Sequence, residues 1–330
     1  LKSTDFRNKR ILIVDALNMY FRAYIVDPSL STNGQPIGGV KGFMKILNKL
    51  VREMKPDQIV ICWDGPGGSR KRKTVNKNYK EGRSPIRLNR DIRNLSEGEE
   101  AANKIWQQTR LFEYLNEMPI MQLIFEGVEA DDIIAQVVHE PQFSGAQKII
   151  VSSDKDFIQL LDDETVLYRP ICKEILNKKR VVDTYGIHPT NFALARAIVG
   201  DKSDNLEGIR GIGLSTVSKR FPFLASPESC MVDHLVEYAE GIDSSLKCYA
   251  AVVDGHAVIT ENYKLMQLYA PSLSVQSKQI VTETVGGFIP QLNKTQIRKM
   301  LVQDGMGEVQ LDGLFQNFLK MISDRKRAAK

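Results

Sequence analysis

Four short apolar runs rich in β-branched residues stand in the first half of the chain: Ile11 to Asp15, Gln58 to Asp64, Ile120 to Phe125 and Lys148 to Ser152. Unbroken runs of this length are the pattern of parallel strands covered on both faces. Between the first two, Val40, Phe43, Met44, Leu47, Val51 and Met54 recur at helical spacing until Pro56 ends the pattern. Ser96 and Glu99 have capping-box spacing and open a helix predicted to turn Ala101, Ile105, Phe112 and Leu115 to one face. The alternation predicts an α/β fold, a mostly parallel sheet layered with helices, whose ligands lie at the carboxyl ends of the strands.

From about Asp183 the strand signals fade. Pro189 to Val199, Leu214 to Phe221, Pro227 to Glu240, Ala257 to Tyr269, Lys294 to Gln303 and Glu308 to Ser323 read as helices, with Ser226-Pro227 as a cap and first position. Ile171 to Val182 reads as a hairpin around Asn177-Lys178-Lys179. The basic end of the chain, with Arg325, Lys326, Arg327 and Lys330, is expected to be frayed and solvated. A sheet unit over 1–182 followed by a helical unit over 183–330 suits a length of 330 residues.

Acidic residues recur where these strands end: Asp15, Asp64, Glu129 with Asp131 and Asp132, Asp154 with Asp156, and Asp201 with Asp204. Singly, each reads as easily as a turn residue or a helix-start residue. Together, in a parallel sheet, they converge on one edge, and nine carboxylates gathered there repel one another unless divalent cations are bound. Oxygen donors without His or Cys favour Mg²⁺ or Mn²⁺ over zinc. Two such ions about 4 Å apart suit the displacement at a phosphodiester. The four cysteines and four histidines have no zinc spacing. Asp201 to Leu206 lacks the ligand spacing of an EF-hand, and no phosphate-binding P-loop occurs.

The net charge is only +5. With the nine carboxylates set aside, however, 45 basic residues face 31 acidic ones, which favours a polyanion. Ser69 to Arg93 alone carries ten Lys or Arg, among them Arg70, Arg72, Lys77, Lys80 and Arg83, against Glu81 and Asp91. With few apolar anchors, this stretch, about 66–95, is expected to form a basic arch over the acidic edge. Gly208, Gly211 and Gly213, with Arg210 among them and Lys219 beyond, precede a helix in the manner of a backbone turn that approaches phosphates. No apolar run approaches the ~20 residues of a membrane span. The polar start has no secretory signal, and its lack of Met allows numbering to begin inside a longer chain.

The ordered set Ile13-Val14-Asp15, Trp63-Asp64-Gly65, Tyr79-Lys80 with Arg83, Gly127 to Asp132, Ser153 to Asp156, Gly200 to Asn205 and Gly208 to Gly213 resembles the structure-specific 5′-nucleases. These include flap endonucleases, stand-alone bacteriophage 5′-exonucleases with RNase H activity and the 5′-nuclease domain of bacterial DNA polymerase I. The resemblance runs from about Ile11 to Phe221. It implies a PIN-like core and a helix-hairpin-helix variant at about 200–221, with hydrolysis near single-strand/duplex junctions that leaves 5′-phosphates during replication or repair. It assigns Asp15, Asp64, Glu129, Asp131 and Asp132 to a first metal, Asp201 and Asp204 to a second, and Asp154 and Asp156 between them. Lys80 and Arg83 would act on the scissile phosphate, Phe21 would stack on a terminal base or else be a core residue, and the glycine turn would grip the duplex with K⁺ on its carbonyls. Ala16-Leu17-Asn18 and Trp63 depart from the usual pattern without removing a ligand.

The implied substrates are branched or nicked duplex DNA and RNA–DNA hybrid, handled by a monomer in a bacterial or phage-infected cytosol, with a polymerase or single-strand-binding protein as candidate partner. The absence of a polymerase module within these residues favours a free-standing enzyme of phage type. A junction-binding protein with a decayed site and a single-strand ribonuclease sharing only the core are the competing readings. The intact acidic set opposes the first and the glycine turn the second.

Overall fold

The computed structural model describes residues 6–92 and 95–328. The strands are β1 (Arg10–Asp15), β2 (Gln58–Cys62), β3 (Met121–Leu123), β4 (Gln147–Val151), β5 (Thr165–Arg169), β6 (Glu174–Leu176) and the two-residue β7 (Gly200–Asp201) and β8 (Leu206–Glu207). The helices are α1 (Ala16–Val26), α2 (Gly38–Met54), α3 (Arg70–Val75), α4 (Glu97–Asn116), α5 (Ala130–Val138), α6 (Lys178–Tyr185) and α7 (Phe192–Val199). They continue with α8 (Leu214–Arg220), α9 (Val232–Gly241), α10 (Lys247–Asp254), α11 (His256–Met266), α12 (Val275–Gly287), α13 (Lys294–Gln303) and α14 (Asp312–Ala328).

Six strands form one sheet in the order β3-β2-β1-β4-β5-β6, parallel except for β6. The chain builds outward from β1 through β2 to β3, then returns to place β4 on the other flank of β1. That reversal opens a crevice at the carboxyl ends of β1 and β4, where such sheets take ligands. Ile11, Ile13, Val60 and Ile150 face one core, and Leu12, Val14, Ile59, Ile61 and Ile149 the other, so both faces of the sheet are dry over β1, β2 and β4. Helices after residue 183 join both cores. Phe192, Leu235 and Val281 enter the first, and Ile297, Leu314, Phe315 and Phe318 enter the second beside Phe43 and Leu47 of α2.

Several local expectations change. The capping box at Ser96 and Glu99 is present and opens α4. However, Ala101 is exposed and Ile105 is 63% exposed, while Asn103 and Gln107 are buried instead. Gln107 Oε1 accepts from the Val40 amide (3.2 Å), and Asn103 Nδ2 donates to the Pro36 carbonyl (3.0 Å). Two amides with fixed partners thus take the inner face that apolar spacing alone assigned elsewhere. The hairpin turns at 170–173, and Asn177 caps α6 by accepting from the Arg180 amide (2.8 Å). Ser226-Pro227 opens no helix; α9 begins at Val232, and α10 and α12 were not read from the sequence. The C-terminal helix runs on to Ala328, and Arg325 is folded in, donating to Gln58 Oε1 (2.6 Å) and lying over the Phe6 ring, so the expected frayed end is corrected there. No helix among the described residues is long and apolar enough to cross a membrane.

Candidate active site

Each acidic residue takes its place from the strand or helix end that carries it. Asp15 closes β1 and caps α1: one oxygen accepts from the Asn18 amide (3.1 Å), the other from Ser152 Oγ (2.9 Å) at the end of β4. Asp64 follows β2 and accepts from the amide of Ala130, the first residue of α5 (3.0 Å). Asp131 stands in the first turn of the same helix. Asp154 follows β4, and its Oδ1 accepts from the Asp156 amide (2.8 Å). These four carboxylates have no ion pair with a basic side chain among the described contacts. Burial, then the fields of Asp64 and Asp154, push Asp15 up to about 7. Burial and Asp154 drive Asp131 well above the usual carboxylate range, and burial chiefly raises Asp64 and Asp154 as well.

The other five are met by cations. Arg72 Nη1 bridges Glu129 (2.7 Å) and Asp132 (2.9 Å), and Lys80 Nζ reaches the second oxygen of Glu129 (2.8 Å). Arg196 on α7 joins Asp156 (3.0 Å) to Asp201, and Arg83 pairs with Asp204. Glu129 is held below its ordinary value because Arg72 and Lys80 outweigh its burial. Burial opposes the charge on Lys80, yet Asp131, Glu129 and Asp204 together raise its pKa. Burial and Asp154 still carry Asp156 up to about 7 against Arg196. Nine carboxylates therefore share four cations, a formal excess of five negative charges. Among the described residues no three acidic, His or Cys groups stand as a finished metal cage. The paired cations hold five of the nine apart, and the four unpaired ones present hard oxygen donors whose repulsion a divalent cation would relieve.

Lys80 adopts a left-handed backbone (φ 58°), and its amide donates to the Asp204 carbonyl (2.8 Å). Arg83 Nε donates to the Ser203 carbonyl (2.9 Å). The first limb of the expected arch is thus laid down on the acidic edge. Asp132 is saturated, since its second oxygen accepts from the Ser272 amide (2.8 Å), so it turns from the crevice and buttresses α5. Arg72, expected on the DNA surface, is likewise turned inward with a side chain only 11% exposed, because two buried carboxylates capture it. Removing it would strand both. Arg72→Ala should lower unfolding stability by about 3–5 kcal/mol, read from the urea midpoint; a loss within the range of ordinary surface changes would refute this role.

Arg70, Lys77, Arg210 and Lys219 are exposed. Phe21 is half-buried, edge-on to Tyr20. Gly208 is packed so tightly that a Cβ would lie 2.0 Å from the Val199 carbonyl, whereas Gly211 (φ 79°) and Gly213 face open space. Gly208 thus serves packing, and the other two remain open to a ligand. Arg196 was not read from the sequence; its position one turn before Gly200-Asp201 was the available signal. Arg22, one helical turn beyond Asn18 on α1, was also not read, and its Nη1 is buried with no hydrogen-bond partner.

Residues 10–186 match the profile of the 5′-3′ exonuclease N-terminal, resolvase-like domain. The chain belongs to this family. A 5′-3′ exonuclease of Buchnera aphidicola (subspecies Schizaphis graminum) is 34% identical to this nuclease over 215 residues, spanning 64% of this chain and 69% of that protein. The phage T5 5′-exonuclease, solved with divalent zinc ions, superposes with a TM-score of 0.63 at 17% identity, covering 92% of this nuclease and all of that chain. The phage T5 flap endonuclease, solved as a pseudo-enzyme–product complex with DNA and metal ions, gives 0.62 at 17% identity, covering 91% and 100%. Such likeness extends the fold, a PIN-like α/β core followed by helices, well beyond residue 186.

Proposed function

We propose that this 5′-3′ exonuclease-family nuclease hydrolyses phosphodiesters of DNA with divalent cations held by the carboxylates in the crevice, acting near single-strand/duplex junctions as an exonuclease and flap endonuclease. The observation that carries the reading is the meeting of Asp15, Asp64, Asp131 and Asp154 at the switch between β1 and β4, with Lys80 of a basic segment laid against them. Asp15, Asp64, Asp131 and Asp154 would hold a first ion. Asp156, Asp201 and Asp204 would serve a second, and Glu129 and Asp132 would act through Arg72 and Lys80. Bound there, the ions would activate water and stabilise the leaving oxygen. Lys80 and Arg83 would meet the phosphate, Lys80 spreading positive charge where negative charge develops. The fields of Asp131, Glu129 and Asp204 keep it protonated for that task. Mg²⁺ suits the oxygen donors, with Mn²⁺ as a substitute.

Gly211, Gly213, Arg210 and Lys219 would follow the duplex backbone, with K⁺ on the carbonyls of the turn. The reading extends to primer removal on RNA–DNA hybrid by a cytosolic monomer that meets a polymerase or single-strand-binding protein. The test is single-turnover cleavage of a 5′-labelled flapped duplex beside an RNA–DNA hybrid, in Mg²⁺ and in EDTA. Short 5′ products that require Mg²⁺ are expected; tight binding without cleavage would move the chain to the junction-binding class. Lys80→Ala should slow the chemical step by about 10²–10³-fold with little change in affinity, and an unchanged single-turnover rate would remove Lys80 from the mechanism.

A further inference from the structure

Immediately behind the acidic crevice, the loop 267–272 between α11 and α12 presents an aromatic ring to solvent. Tyr269 is 63% exposed, and its outer position is fixed by what surrounds it. Leu268 beside it is 1% exposed, and its amide donates to Gln159 Oε1 (2.7 Å). Gln159 Nε2 in turn donates to the Met266 carbonyl (3.0 Å). The Gln267 side chain spans the loop twice, accepting from the Ala270 amide (3.0 Å) and donating to the Ala270 carbonyl (3.3 Å). Tyr263 of α11 stacks on Tyr269 with ring centres 6.3 Å apart and planes 27° from parallel. A large apolar ring held this firmly in water has already met the ordering cost of binding a flat partner.

The surroundings specify the partner. The loop is tied to the basic segment by Lys71 Nζ, which donates to the Ser272 carbonyl (2.8 Å), and to the first turn of α5 by the Ser272 amide on Asp132 Oδ1 (2.8 Å). Tyr269 lies three residues before Ser272, so its backbone is within about 11 Å of that junction. Apart from the inward Arg72, the basic side chains of α3, Arg70, Lys71 and Lys73, are exposed, and Lys264 is exposed beside Tyr263. Cations that track phosphates beside a ring that takes a base are the two parts of a single-strand site.

We propose that Tyr269, backed by Tyr263 and with Lys71 tied to its loop, is a stacking site for an unpaired base of a single-stranded nucleic acid. The site rests on the nuclease reading for its purpose, holding the unpaired strand beside the crevice, but its binding is measurable without cleavage. The probe is a fluorescein-labelled oligothymidylate titrated in EDTA and followed by anisotropy, with a blunt duplex in parallel. Tyr269→Ala should weaken oligothymidylate binding by about 5- to 150-fold, the range for one stacked base, while leaving the blunt duplex unchanged. Tyr269→Phe should retain the wild-type affinity, because the ring face and not the hydroxyl is used. Unchanged binding by Tyr269→Ala, or an equal loss on single strand and duplex, would overturn the site. Failure of the wild type to cleave a flapped duplex would overturn the nuclease reading alone.

Discussion

Asp154→Asn is expected to lower single-turnover cleavage by about 10³-fold or more while raising the thermal stability of the metal-free protein. The two effects have one origin. Burial and the neighbouring Asp204 and Asp201 raise the Asp154 pKa, so its charge is held against a field that opposes it. An amide of the same shape can still accept from the Asp156 amide through its oxygen, so the loop is kept and the repulsion is not. The lost charge is the part that would anchor a divalent ion, whose stabilisation of the transition state is worth several kcal/mol. Single-turnover rates in Mg²⁺ and thermal midpoints in EDTA measure the two sides. A fall in both would make Asp154 a structural residue, and a fall in neither would remove it from the site.

The metal-free protein should lose stability as pH rises from about 4 to about 7. Asp15 and Asp156 are raised from 3.8 to about 7 in the folded chain, burial being the largest cause for each. Between those values the folded state holds protons that the unfolded chain has released, so unfolding becomes easier as pH increases. Asp131, Asp154 and Asp64 move in the same direction. Glu129 and Asp201 move the opposite way, and their contribution is lost only on acidification below the ordinary carboxylate range. Each unit of displacement corresponds to about 1.4 kcal/mol, so the fall is large for a domain of ordinary stability. Thermal midpoints in EDTA should be higher at pH 5 than at pH 8, and Mg²⁺ should restore the midpoint at pH 8. A flat or rising profile in EDTA would mean that the carboxylates are compensated within the protein.

Four of the six strands of the sheet were legible because they are buried on both faces and read as unbroken apolar runs, three of them leading into acidic residues, whereas β5 was not read. α13 was legible to the residue, since Asn293 caps it by accepting from the Gln296 amide and its apolar positions keep one face. Helix α4 misled because Asn103 and Gln107 are buried through partners 67 residues away, which local spacing does not report. The acidic positions could be placed on one edge from strand order, but their division into paired and unpaired groups could not. That division depends on Arg196, which comes from a helix forty residues beyond Asp156, and on Arg72 turning inward from a segment whose composition suggested solvent. Phe21 remained ambiguous for a related reason, since a half-buried ring at the rim of a core satisfies both readings.

The C-terminal helix gives the order of synthesis a physical meaning. α14 lies against α2, with Asn317 Nδ2 donating to Asn48 Oδ1 (3.0 Å), and Leu314, Phe315 and Phe318 complete the core that Phe43, Met44 and Leu47 begin. A chain still emerging from the ribosome lacks that cover until α14 has been made. Acidic crevice and basic segment are translated long before the apolar lid over α2, so a chain that stops after the family-matching region would carry the chemistry on a surface prone to self-association.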